Sequence, residues 1–552
     1  MSVAGAVWRV VASLLATVLV SGCALLGAPP GERTFYVSPT GDDASAGTSP
    51  GSAWRTLERA TSAVLLPGEQ LLLEGGARFT GRLLIDGADA GDPADPVVVG
   101  SYGEGRATVE GTDDAAVVVL DTSGVEVRDL TLVGATPVRP GSAGVRFFSD
   151  LADGRVLSHV SVSRVEASGF VNGIEVGSEQ VGSGFRDVRI EDSVVHDNRD
   201  AGVSVYGPEF DPAAPRYAHE GVTVARVTAS GNVGDPANSR RNTGSGIVLG
   251  SVRGGSVTRS VAHDNGGSGG AHEGPVGIWA YDSTGIVIEH NLSYRNRTAR
   301  LTDGGGFGLD QNTADSVLQY NLSYDNHGPG YLVYTGQEND AHHGSTVRFN
   351  VSSGDARRWS VYGGITVLGR VRDVHVYQNT VVMVPQSADP SAALRLGPGI
   401  ADVRAQNNLL VSRRAGPLVV AESDFPASEV ALAGNAYVAE GLPWSVVWGA
   451  DTHGSLAGLR AGTGQEEAAD GTPTGVVGDP ELPGPVLRLS AVVPDDAATL
   501  AGFLPGPGSP LRGAGLDLSA LLGAGTPVSD PTGVPVRVGA PDIGALQAVQ
   551  PG

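Results

Sequence analysis

Asp282, Asp303 and Asp310 are the residues of this chain whose type and spacing best suit chemistry. They fall within residues 277–334, where GIWAYDSTGIVIEHNLSYRN, GFGLDQNTADSVLQYNLSYDN and GYLVYTG repeat one short unit. Two carboxylates facing one groove can serve as acid and base in glycoside cleavage. Asp303 and Asp310 are also candidate ligands for Ca²⁺, a hard cation that takes oxygen donors. The stretch DGGGFGLD at 303–310 is no phosphate cradle, because no Gly-Lys-Ser/Thr follows and no helical pattern begins there. It matches one unit of a calcium-binding nonapeptide repeat, but tandem copies are lacking. Tyr206, Trp279, Tyr281 and Tyr334 offer flat apolar faces that sugar rings can cover. Arg297 and Arg300 precede Asp303 in one loop and can grip a substrate carboxylate with paired hydrogen bonds. His327 can titrate near neutrality. Each has a plainer reading: Asp commonly caps turns, and arginines and histidines are ordinary loop residues.

These side chains share a face only if strands present them. Read with period two, Ile278 and Ala280, Phe307 and Leu309, Tyr331 and Val333 point one way. Tyr281, Asp310 and Tyr334 then form one outward column, a carboxylate between two aromatic rings. Stacked as parallel strands, its members would lie about 4.8 Å apart. An Asn that ends the second strand recurs at Asn291, Asn321, Asn350, Asn379, Asn407 and Asn435, and Ser193, Val227 and Ser260 hold the same slot earlier. Strand-like alternation at this spacing predicts a parallel β-solenoid rather than a helical repeat. The Asn column is expected inside, as a hydrogen-bonded ladder between coils.

The ends differ from the middle. Arg9, an apolar run to Val20 and VSGC ending at Cys23 resemble a bacterial lipoprotein signal, so Cys23 is the expected lipidation site. Cys23 is the only cysteine, which excludes disulfides from the mature chain. The protein is therefore expected outside the cell, lipid-anchored to the membrane and facing outward. A net charge of −23 argues against nucleic acid as a partner. All 37 basic residues are arginine.

YVSPTGDD, GTSPGSAWRTLERA, LLLEGG and VVVGSYGEG, with GSLAGLRAGTGQEEA, GSPLRGAG and APDIGALQ near the C-terminus, resemble exported carbohydrate-active proteins of the pectate-lyase-like superfamily. That resemblance implies an all-β, right-handed parallel β-helix with an N-terminal helix cap and an irregular C-terminal cap. Trp54, Leu57, Ala60, Val64 and Leu65 supply the apolar stripe of the cap helix. The expected organisation is a signal peptide at 1–22, a tether at 23–33, an N-terminal cap with first strands at 34–114, coils at 115–440 and a capping segment at 441–552. Similar proteins commonly carry Asp where this chain has Gly308, so their role at that position does not transfer.

The expected function is cleavage of glycosidic bonds in a polysaccharide, by a hydrolase or a lyase, in a groove on the first sheet of the repeat. Asp310, Asp303 and Asp282 are the catalytic candidates. Tyr206, Trp279, Tyr281, Tyr334, Arg297, Arg300 and His327 are the substrate-binding ones. A lyase with a lysine base is excluded, since the chain has no lysine. No cofactor is required beyond the Ca²⁺ considered above, and a monomer is expected. The alternative is a non-catalytic, glycan-binding or surface-structural β-helix.

Overall fold

The computed structural model describes residues 33–549, apart from 90, 113, 137, 301, 337, 385–389, 414–415, 442, 469, 485–496 and 523–527. Cys23 and residues 1–22 lie outside the described residues. The expected solenoid is present: three sheets of fourteen strands run the length of the molecule, and strand pairs from one coil to the next are parallel. Each coil contributes a strand to the groove sheet, turns into the back sheet, turns again into a short side strand, and returns through a loop. For one coil these strands are Val276–Tyr281, Thr284–Glu289 and Leu292–Tyr294. Among the described residues no helix is long and apolar enough to cross a membrane.

The interior follows the alternation. Ile278, Ala280, Phe307, Leu309, Tyr331 and Val333 are fully buried, and the Phe307 and Tyr331 rings stack at 5.3 Å. The Asn ladder occupies the corner between back and side strands. The Asn291 Nδ2 donates to Asn321 Oδ1 at 3.1 Å, Asn321 to Asn350 at 3.1 Å, and Asn350 to Asn379 at 3.1 Å. Ser260 and Ser193 fill the earlier slots, accepting main-chain N–H bonds from Val227 and Val165.

The expectation of Asn407 in this ladder is wrong by one residue. Asn379 donates to Asn408 at 2.9 Å, and Asn408 to Asn435 at 2.9 Å. At every such corner the residue before the ladder position is left-handed, as at Arg164, His290, Tyr320, Phe349 and Gln378, with φ between 53° and 59°. Asn407 holds that turn position, φ 53°, and its side chain instead accepts from the Leu516 main chain at 2.9 Å.

A second ladder lies at the corner after the side strand. It runs Asn198, Asn232, Asn265, Asn296 and Asn326, with amide-to-oxygen distances of 2.9–3.0 Å. Each rung offers an N–H₂ to the following coil, so the last coil needs only acceptors. Both ladders end on a buried carboxylate: Asn326 donates to Asp355 at 2.9 Å and Asn435 to Glu466 at 2.8 Å. This second ladder explains Gly277, Gly306 and Gly330. A Cβ on Gly277 would lie 2.1 Å from Ser293 Oγ, and one on Gly330 would lie 2.6 Å from Asp355 Oδ2.

At the N-terminal end, α1 (Leu57–Thr61) is shorter than the expected stripe. Trp54, Leu57, Ala60 and Leu65 are buried, but Val64 lies beyond the helix and is 55% exposed. At the other end, α2 (Leu456–Thr463) buries Leu456 and Leu459 in the main core. The following tail runs back along the side sheet. Leu500, Phe503, Leu511, Ile543 and Leu546 pack there on Leu292, Tyr294, Leu322, Tyr324 and Val351.

Candidate active site

Four consecutive groove strands carry the site: β1 (Val276–Tyr281), β2 (Gly305–Leu309), β3 (Tyr331–Thr335) and β4 (Gly363–Gly369). Ile278 pairs with Phe307, Phe307 with Tyr331, and Tyr331 with Ile365. That register puts Tyr281, Asp310 and Tyr334 in one outward column. The Asp310 main-chain N–H donates to Ala280 O at 2.8 Å, extending β2 to the carboxylate.

Asp310 feels the charges of both other carboxylates. Burial pushes the Asp310 carboxyl up to about 8, and the negative charges of Asp303 and then Asp282 add to the rise. Burial pushes Asp303 up to about 6, opposed by hydrogen bonds from Gly274 N–H at 2.9 Å and from the Tyr362 hydroxyl at 3.2 Å. Burial also pushes Asp282 up to about 6, opposed by the Asn312 amide, which donates to it at 2.7 Å. Asp310 receives one strong donor, the Gln311 N–H at 2.7 Å. Asp310 and Asp303 keep partial solvent exposure as whole residues although their carboxyls are largely buried.

Asp303 and Asp282 also take part in the scaffold. Both are left-handed, with φ 56° and 47°, and Asp282 forms a turn column with Asn312, φ 55°. The plainer reading of Asp as a turn residue therefore holds alongside the site geometry. Of the four carboxylate oxygens of Asp303 and Asp310, three already accept from Gly274, Tyr362 and Gln311. Among the described residues no three His, Cys, Asp or Glu side chains are disposed to hold a metal ion.

The aromatic residues divide. Tyr334 is half-buried next to Asp310, and that carboxylate helps burial raise its phenol. Tyr281 leans the other way, its ring lying over Gly250, where a Cβ would meet the ring at 2.3 Å. Trp279 points outward as its parity requires, yet it is only 7% exposed. Ala201, Val248 and Val276 cover it, and its indole N–H donates to Ser245 Oγ at 3.1 Å. It packs against Tyr281 at 5.2 Å and supports that ring rather than forming an open platform. Tyr206 stands three coils away and donates to Glu175 at 3.2 Å.

Arg297 and Arg300 are exposed, and the hydrogen bonds of Asp303 go to Gly274 and Tyr362 rather than to them. His327 is half-buried beside the same loop. Burial and the charges of Arg358, Arg297 and Arg357 push its imidazole down.

Two contributors escape a reading by strand parity. Tyr362, just before β4, reaches Asp303 across an entire coil. His342 is buried near the main-chain oxygens of Tyr334 and Asp310, with Nε2 3.0 Å from Ser345 Oγ, and burial pushes it down to about 3. A signal for Tyr362 does exist. The strand register aligns it with Gly328 and Gly304, so small, small and large residues occupy one position on successive coils.

A family described as "Right handed beta helix region" matches residues 158–381. The lacto-N-biosidase of Bifidobacterium longum subsp. longum is 23% identical over 441 residues, 63% of this chain and 27% of that protein. The chain thus spans about a quarter of that relative's length. A solved lacto-N-biosidase from Eubacterium ramulus superposes with a TM-score of 0.49 at 17% identity, covering 70% of this chain and 65% of that one. A pectate lyase superposes with a TM-score of 0.42 at 18% identity, covering 93% and 96%. At these identities the structural likeness is one of fold.

Proposed function

We propose, for a chain that is a right-handed parallel β-helix protein, glycoside hydrolysis in the groove across β1–β4. Asp310 acts as the acid and Asp303 as its ionised partner. The observation that carries this is the coupled, unequally supported carboxylate pair. Asp303 receives two donors that favour its charged form, while Asp310 receives one and faces two neighbouring carboxylates. Near neutral pH the pair therefore holds one proton, with Asp310 its better seat. An acid that keeps its proton at pH 7 can pass it to the leaving glycosidic oxygen. An ionised carboxylate beside it can attack the anomeric carbon or activate a water. Tyr334 flanks the acid where a sugar ring would lie, and Tyr281, backed by Trp279, stands one coil further along over Gly250.

Hydrolysis is the reading we favour because a protonated acid and an ionised carboxylate suffice for it. Elimination beside a uronate would in addition need that carboxylate neutralised, for which Arg297 and Arg300 are the nearby candidates. The name of the Bifidobacterium relative makes lacto-N-biosides the first glycosides to test, followed by a panel of neutral and acidic glycans. Asp310→Asn and Asp303→Asn should each lose at least about a hundredfold in kcat/KM, with the fold kept by circular dichroism. Full activity in both variants would move the chemistry elsewhere. Binding without cleavage by the native protein would favour the glycan-binding alternative.

We also propose that the protein is a monomer and, on the N-terminal sequence alone, that it is exported and tethered through lipid on Cys23. Cys23→Ala should release the protein from membranes or block its processing, as fractionation would reveal.

A further inference from the structure

We propose that Tyr362 is the positioning residue of this site: its hydroxyl, reaching over the intervening coil, holds both the carboxylate and the main-chain amide of Asp303. The inference rests on the assignment of Asp303 to catalysis. The Asp303 N–H donates to the Tyr362 hydroxyl at 3.0 Å, and that hydroxyl donates to Asp303 Oδ1 at 3.2 Å. One phenol thus closes a ring on a residue whose backbone is left-handed, a conformation uncommon outside glycine that neighbouring contacts must hold.

The path is built for this contact. Residues 303 and 362 are 59 positions and two coils apart. The coil between them approaches its groove strand through Gly328, Pro329 and Gly330. A Cβ on Gly328 would lie 2.3 Å from Asp303 O. The tyrosine is only 7% exposed, so its ring is fixed by packing before the hydroxyl meets its partner. The second oxygen of Asp303 is held by Gly274 N–H from the preceding coil, so two coils pin the carboxylate from opposite sides. The ionisable groups around this point are the acidic Glu273, Asp310 and Tyr334 and, behind the same loop, His327, Arg297 and Arg358. The Asp303 carboxylate accepts hydrogen bonds from the Tyr362 hydroxyl and Gly274 N–H, so the hydroxyl is a direct stabiliser of its negative charge.

Tyr362→Phe keeps the ring and deletes the contact. In the full-length protein it should lower kcat/KM about ten- to thirtyfold and raise the acidic limb of the pH profile by about half a unit or more. Melting temperature should change little. Placing 3-fluorotyrosine at position 362, a stronger donor, should move the limb the opposite way. The Asp303 carboxyl can also be titrated by carbon NMR in protein labelled at aspartate, with Asp303→Asn for assignment. That measurement reads the contact without substrate and should show the same opposed shifts. An unmoved carboxyl titration in Tyr362→Phe overturns the inference. Full activity in Asp303→Asn overturns instead the catalytic reading on which it rests.

Discussion

At the scale of single residues, the site stores unfavourable electrostatics. The Asp310 carboxyl is pushed up to about 8 by burial and by Asp303 and Asp282, against about 3.9 in an unfolded chain. Between those values the folded protein binds a proton that the unfolded chain has released. Stability from this group is therefore present below pH ~4 and lost as pH rises toward 8. Asp310→Asn should abolish that slope, leaving the variant more stable than the native protein at pH 8 by about 1 kcal/mol or more, with partial solvent contact limiting the gain. Thermal melts at pH 5 and pH 8.5 test it; parallel losses in both proteins would show that Asp310 is not so perturbed. The same residues predict indifference to chelator, because three of the four oxygens of Asp303 and Asp310 already accept from protein donors. Loss of activity in EDTA, restored by Ca²⁺, would contradict this.

At the scale of elements, two Asn ladders tie coil to coil, and a carboxylate closes each. Every rung satisfies main-chain groups that strand pairing leaves open at a corner, so an apolar replacement strands a buried donor and acceptor. Asn321→Leu and Asn408→Leu should each cost about 1–3 kcal/mol in denaturant unfolding. Asn407→Gly should leave the ladder intact, since position 407 needs only a left-handed backbone, although the tail loses an anchor at Leu516. Equal costs at 407 and 408 would argue against the register described above. The second ladder bears on the site as well, because it lies at the corner from which each coil returns to its groove strand.

At the scale of the whole molecule, the tail after α2 is a cover for the side sheet. Leu292, Leu322, Tyr324 and Val351 face outward from short strands and would be exposed without Phe503, Leu511 and Ile543 against them. A chain ending at Gly484 should keep its coils but bind ANS and associate, since a contiguous apolar face of this kind is unusual on a monomer. Monomeric behaviour with unchanged dye binding would show that the tail's packing is dispensable. The groove lies on another sheet, so glycan cleavage should survive in whatever fraction of the shortened chain stays soluble.

The sequence by itself determined whatever is carried from one coil to the next. Period-two alternation placed Ile278, Phe307 and Tyr331 inside, and the aligned glycines at 277, 306 and 330 put Tyr281, Asp310 and Tyr334 in one column. The physical reason is that each coil packs mainly on its neighbours, so a spacing of about 29 residues reads out contacts directly. At Asn407 and Asn408 the repeat left a one-residue ambiguity that only backbone handedness resolved. Trp279 had the right parity, but the side chains that cover it decided its burial. Only the tertiary structure brought Tyr362 to Asp303, put the tail on the side sheet and set the unequal donor supply of the two acids. Those contacts skip a coil or arise from loops and tails, where no period relates sequence separation to distance. Desolvation, which gives the acids their chemistry, belongs to the assembled groove and to no single stretch of chain.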